Sequence, residues 1–223
     1  MPSFSSASAA SATVTPDLSA AKAKPVSMRR TNADMSSETQ SRILLATIAS
    51  LAELGYAGTT MSGIAERIGV SRAALVYHFN SKNALMAAVI DTIYDEMGAM
   101  FRAAAHPALT PAERMLAVLD ASFHFTTSTS QMAQVELLLA ARRDASFRVE
   151  VAPTIEQRDQ IFRNAWHQLT SELGGSSARL DLVRDFAVSV FRGITVTRSI
   201  SSDLASFDRQ HVLLRKLLLE ALA

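Results

Sequence analysis

The 223-residue sequence has no cysteine, which excludes disulfides, thiolate metal sites and a cysteine nucleophile, and fits a reducing cytoplasm. Hydrophobic residues make up 48% and charged residues 19%, so a core can form without metals or bridges. The net charge of +1 gives no whole-molecule field toward nucleic acid or membrane, and no run of about 18 apolar residues suggests a span.

Residues 1–35 are rich in Ser and Ala, carry Lys22, Lys24, Arg29 and Arg30, and lack the apolar run of a secretory signal. Burying little, they are expected to be disordered. A basic arm that touches phosphates, or a start at Met28 or Met35, are the alternatives. From Ser36 onward the periodicity is helical and no alternating strand pattern is found. In the first helix Ile43, Leu44, Ile48, Leu51 and Leu54 share a face, and Gly55 ends it. Thr60 caps a short helix over Met61 to Ile68, closed by Gly69. Ser71 caps another through Phe79, and a long helix starts near Lys82 and stops before Pro107. Thr110-Pro111-Ala112-Glu113 is a capping box with proline in the first turn. Further helices run to Phe125, to Arg142-Arg143, through Trp166 to Gly174-Gly175 with a break or kink at Pro153, from Ser177 to Ser199 and from Asp208 to Leu222. The expected fold is all-α with about nine helices: a helix-turn-helix unit over 36–83 and a larger helical unit over 84–223.

Three short helices before a long one, with a tight glycine turn between the second and third, is helix-turn-helix organisation. The second helix braces the third, whose N-terminal part fits a major groove about 12 Å wide. Along Ser71 to Phe79, Ala74, Leu75 and Phe79 suit a core. Ser71, Arg72, Ala73, Val76, Tyr77 and His78 remain for the groove and its walls. Lys82 opens the next helix, where its ammonium and nearby free amides can face a phosphate.

The run Gly55-Tyr56, Thr59-Thr60, Ile64-Ala65, Gly69-Val70-Ser71, Leu75, Tyr77-His78-Phe79, Lys82 and Leu85 resembles the TetR-type regulators. The resemblance covers about 50 residues, and beyond them the chain agrees in being helical and of suitable length. It implies that Thr60, Tyr77, His78 and Lys82 meet backbone phosphates or the groove wall, and that Ser71 to Tyr77 hold the base-reading positions. Three departures stand out. Ala73 replaces the usual glycine, and Val76 replaces a tyrosine that anchors a phosphate. Ser62 and Gly63 occupy a place where a basic residue is common. Fewer charged contacts imply a shallower salt dependence, because each neutralised phosphate adds roughly 0.9 to the log–log slope.

In the larger unit, Met97, Met100, Phe101, Met115, Phe123, Phe125, Met132, Phe162 and Trp166 are candidates for a cavity that takes a mainly apolar effector, with His124, His167 or Gln168 as polar contacts. Taken singly, each is better read as a core residue. His124, Glu136 and His167 lack the i, i+4 spacing of a helical metal site. No phosphate loop, nucleophile elbow or carboxylate pair stands out, so neither a metal, a cofactor nor catalysis is expected. The last two helices carry wide apolar surfaces: Leu182, Val183, Phe186, Val190 and Ile194 with Ala187, Phe191 and Val196, then Val212 to Leu222 nearly all round. Phe186, Val190, Gly193, Ile194, Leu214, Leu217 and Leu218 are expected to pack against a second copy about a twofold axis. The expected function is a cytoplasmic homodimeric regulator, a ligand-released repressor on a palindromic DNA operator. The competing readings are a helical small-molecule-binding protein that has lost DNA binding and a metal-dependent enzyme using His124 and His167.

Overall fold

The structure, a computed structural model, describes residues 32–173 and 177–222, without the side chains of 32–34, 177, 218, 221 and 222. The arm's Lys22, Lys24, Arg29 and Arg30 and the break at Gly174-Gly175 lie outside that set. Within it the chain is all-α: α1 (Asn32–Gly58), α2 (Met61–Ile68), α3 (Arg72–His78), α4 (Lys82–Ala104), α5 (Pro111–Phe125), α6 (Thr129–Arg143), α7 (Ala145–Thr170), α8 (Ser177–Arg198) and α9 (Leu204–Leu222).

The punctuation is chemical. The hydroxyls of Thr60, Ser71 and Ser81 accept from the amides of Gly63, Ala74 and Ala84 at 3.1, 3.0 and 3.0 Å, and each caps one helix start. Thr110 and Glu113 form the full capping box, whose hydrogen bonds hold the Glu113 carboxyl below its ordinary value. Asp144 caps α7, and its bonds to the Phe147 and Ser146 amides and the Ser146 hydroxyl lower its pKa as well. Gly69 ends α2 at φ 70°, a left-handed conformation in which a side chain is strained. Gly55, at φ 69° and ψ 176°, leaves the helical conformation as expected and breaks α1 there, with a short helical stretch following to Gly58.

One apolar core runs from the three-helix head into the bundle. Ile43, Ile48, Leu51, Ile64, Leu75, Leu85, Val89, Ile93, Leu137, Phe147 and Val151 are all buried in it. α1 packs along α6, and α4 along α7, so the head is braced by the body. A second core joins α5, α8 and α9 through Leu119, Phe123, Val183, Phe191, Ile194, Phe207 and Leu214.

The structure corrects three expectations. Leu54 is exposed, although it lies on the helical face of Ile43. Gly58, one turn further along α1, and Gly63 of α2 have no side chains to cover it, and with it they line an open groove of about 270 Å³. Pro153 does not interrupt α7. It is exposed and follows exposed Val149 by one turn, so the carbonyl that loses its partner lies on the solvent side. α9 begins at Leu204, earlier than expected, because Asp203 accepts from the Ser206 amide at 3.1 Å and starts the helix there.

Candidate nucleic-acid interface

α2 is held against α1 at its C-terminal end. Arg67 donates to both carboxylate oxygens of Glu53 at 2.7 Å, and the Arg42 guanidinium donates to the Ile68 carbonyl at 2.7 Å. Ile64, Ala65, Leu75 and Phe79 face inward and lock α3 behind. The outer face of α3 is then left bare: Ser71, Arg72, Ala73 and Val76 are exposed, and Tyr77 is 83% exposed. His78 is half-buried and meets the Tyr77 ring edge-on at 5.3 Å. Arg72 makes no ion pair among the described residues, so its guanidinium stays available. Thr60 and Ser62 lie exposed at the start of α2. The capping hydroxyls of Thr60 and Ser71 accept one hydrogen bond each and keep their O–H to donate. Donors, one cation and one aromatic thus project from a single rigid edge, an arrangement suited to phosphates and base edges.

Lys82 sits differently from its expected pose. Its ammonium donates to the Tyr56 carbonyl at 2.7 Å and lies 3.9 Å from the centre of the Tyr56 ring, and burial pushes its pKa down. The lysine thereby ties the end of α1 to the start of α4, with two N–H groups left over for a phosphate. Tyr56 in turn packs on Phe147 of α7, ring centres 4.7 Å apart. This link between the head and the body was not legible in the sequence, because no periodicity relates residues 56, 82 and 147.

In the body, the expected effector residues divide between the two cores. Met97, Met100, Phe125 and Phe162 belong to the core around α4, and Phe101 meets Phe162 edge-on at 5.5 Å. Phe123 and Trp166 belong to the core around α5, α8 and α9, and Met115 is buried on α5. Met132 is half-buried, while His124 and His167 are exposed, His167 lying 2.8 Å from Asp181. These side chains are not brought together around one cavity. The cleft between α4, α6 and α7 is instead lined by Gln134 and residues not singled out beforehand. Among the described residues no three His, Asp or Glu side chains gather as a metal site would require. No helix there is long and apolar enough to cross a membrane.

A half-buried polar cluster pins α9 to α5. Asp120 is paired with Arg215, and the His211 ring stacks on Phe123 at 4.1 Å. His211 Nε2 is 2.9 Å from Asp120 Oδ1 but not aligned for a hydrogen bond, so its neighbour gives charge attraction only. Burial pushes the His211 pKa down, against the opposing pull of Asp120. The folded chain therefore resists a proton that the unfolded chain accepts from about pH 6.5 downward. Stability from this group is complete above that value and is lost as pH falls toward the depressed folded pKa. Thermal melts at pH 7.5 and 5.5 should show a larger loss for the wild type than for His211→Gln.

The expected dimer face is partly redrawn. Ile194 and Leu214 are buried in their own subunit's core, and Val190 is half-buried against it. They sit on the inward stripes of amphipathic helices, which periodicity alone could not tell from the outward ones. Phe186, Gly193 and Leu217 do face outward; the Leu218 side chain lies outside the described residues. The outward face is completed by Leu182 and Val196 on α8, by Ile200 in the turn after it, and by Val212 and Leu213 on α9, and Ile200 is 86% exposed. Nothing lies within 4 Å of a methyl group built on Gly193, so another helix has room to approach there.

Residues 43–89 match the family model described as bacterial regulatory proteins, tetR family. The HTH-type transcriptional regulator CymR of Pseudomonas putida is 26% identical over 181 residues, which cover 81% of this chain and 89% of that one. The structure is similar to a transcriptional regulator from Rhodococcus sp. Rha1, with a TM-score of 0.68 at 17% identity over 82% of this chain and 96% of that one. It is likewise similar to the fatty acid degradation regulator FadR from Bacillus halodurans, with a TM-score of 0.65 at 14% identity over 81% and 94% of the two chains. At such identities the solved structures establish the fold alone. With the matched head, the exposed α3 edge and a regulator relative aligned over 89% of its own length taken together, the chain is a DNA-binding transcriptional regulator whose residues 43–89 match the tetR family.

Proposed function

We propose that the chain is a homodimeric repressor that a small, mainly apolar effector releases from a palindromic operator. The observation that carries this reading is the bare outer face of α3, held rigid by α2 and ending in the 83% exposed Tyr77. Water-exposed aromatic surface on a short helix has no stabilising role in the chain itself and suits the wall of a groove. A twofold pair of such edges asks for half-sites about one helical turn apart, 34–36 Å, or a multiple of it.

Release would work through α4. That helix begins at Lys82, which holds the end of α1, and continues past Ile93 and Tyr94 into the body. Its body half is fastened to α7 by Arg158 to Asp91 and Asp95, both at 2.6 Å, and by the Tyr94 hydroxyl to Asp159 at 2.9 Å. A ligand that parts α4 from α6 or α7 would tilt α4, carry Lys82 with it and change the separation of the two α3 edges. A coupling of about 1–3 kcal/mol would lower operator affinity roughly 5- to 150-fold.

Tyr77→Ala tests the DNA reading. Removing a groove contact of about 1–3 kcal/mol lowers affinity about 5- to 150-fold in a mobility shift against DNA upstream of the chain's own reading frame. The melting temperature should stay unchanged, because the ring packs on little. Unaltered retention of that DNA would remove Tyr77 from the interface.

A further inference from the structure

Between α4, α6 and α7 the apolar packing leaves a cleft of about 10 Å³. Its walls are Ile90, Ile93 and Tyr94 of α4, Leu137 and Leu138 of α6 and Ile155 of α7, with one polar side chain among them, Gln134 of α6. Gln134 is only 7% exposed. Its amide nitrogen nevertheless reaches no better acceptor than the Met97 sulfur, at 3.9 Å, and it makes no other side-chain hydrogen bond among the described residues. A thioether is a weak acceptor, and a buried amide left this poorly matched is unusual unless something else partners it.

The surroundings restrict what that partner can be. Arg158 is already committed to Asp91 and Asp95, and Asp159 to the Tyr94 hydroxyl; with Arg192 also within electrostatic reach of Tyr94, the rim holds three carboxylates against two guanidinium groups. An anionic molecule would be repelled, and a cation would find every wall but one apolar. The walls can also yield. Leu138, Ile155 and Met97 are half-buried, and methionine adapts its shape readily.

We infer that this cleft opens to bind a small, uncharged, mainly apolar molecule carrying one hydrogen-bond acceptor, and that Gln134 selects it by donating its amide N–H in place of the weak contact with Met97. The inference rests on the ligand-release reading and names the ligand class and the residue that discriminates.

Acetophenone and ethylbenzene share a ring and a chain length and differ in the ketone oxygen, so they isolate the role of Gln134. Calorimetric titration of the full chain without DNA should show saturable binding of both, the ketone favoured about tenfold. Gln134→Leu should bring the ketone down to the level of ethylbenzene and leave ethylbenzene unchanged. Gln134→Met, with thermal melts of both variants, keeps the comparison meaningful if one of them folds poorly. Absence of saturable binding by either probe, or a ketone preference that survives both substitutions, overturns the inference. So does a cleft that takes up a water and nothing larger. A mobility shift on the same preparation separates the two levels. DNA retention without probe binding overturns the site alone, whereas probe binding with the Gln134 signature upholds it even if DNA retention fails.

Discussion

Phe186→Asp should leave the chain monomeric and lower operator affinity about 10²- to 10⁴-fold, the advantage that two linked half-site contacts hold over one. Phe186 is 47% exposed on the outer face of α8, which also carries Leu182 and Gly193, and α9 adds the exposed Val212, Leu213 and Leu217. An apolar surface of that extent on a helix pair is costly in water and is covered when a second copy presents the same face. Two aspartates would meet or nearly meet across the twofold axis, adding repulsion to the loss of the ring. The fold itself should tolerate the change, because Val183, Ala187, Phe191 and Ile194 hold the opposite side of α8 in the core. Sedimentation velocity reads the assembly and a mobility shift reads the affinity. A dimer that persists at micromolar concentration with full operator affinity would place the interface elsewhere.

Phe147→Ala should destabilise the chain by about 3–5 kcal/mol in urea denaturation, a large part of the total for a domain of ordinary stability. Phe147 has no exposed surface, and its ring lies 4.7 Å from that of Tyr56. Its amide donates to the Asp144 cap at 3.0 Å, so its position is fixed by the start of α7. The loss also removes the support behind Tyr56, whose carbonyl holds Lys82. The head should therefore loosen from the body before global unfolding, detectable as faster hydrogen exchange in α1 and at the start of α4. A loss below about 1 kcal/mol would mean that the ring is not the keystone its burial implies.

The head was legible in the sequence because its signals are local. Thr60 and Ser71 are caps whose partners lie three residues away, Gly69 marks a turn, and the alternation of Leu75 and Phe79 with Val76 and Tyr77 settles which face of α3 is bare. The capping box at Thr110 is local in the same sense. What the sequence concealed depends on distant residues. Leu54 shares its face with Ile43, and only the glycines that line the groove with it leave it uncovered. Lys82 turns toward Tyr56, 26 residues earlier. The body's methionines and aromatics satisfy a cavity and a core equally well by composition, and tertiary packing alone divides them between two cores. Ile194 and Phe186 are eight residues apart on one helix, and no periodic reading told which would meet its own subunit and which would meet solvent. Gln134 passed unnoticed because a glutamine in a helix usually reaches water; its burial arises from α4 and α7 closing over it.

The most direct test of the central claim, that paired α3 edges read duplex DNA, is selection of bound oligonucleotides from a random pool by the purified full chain. The expected result is an inverted repeat whose half-site centres lie about 10 base pairs or a multiple apart, with enrichment lost in Tyr77→Ala and weakened to a single half-site in Phe186→Asp. Recovery of no preferred sequence, or of a motif without twofold symmetry that both variants retain, would contradict it.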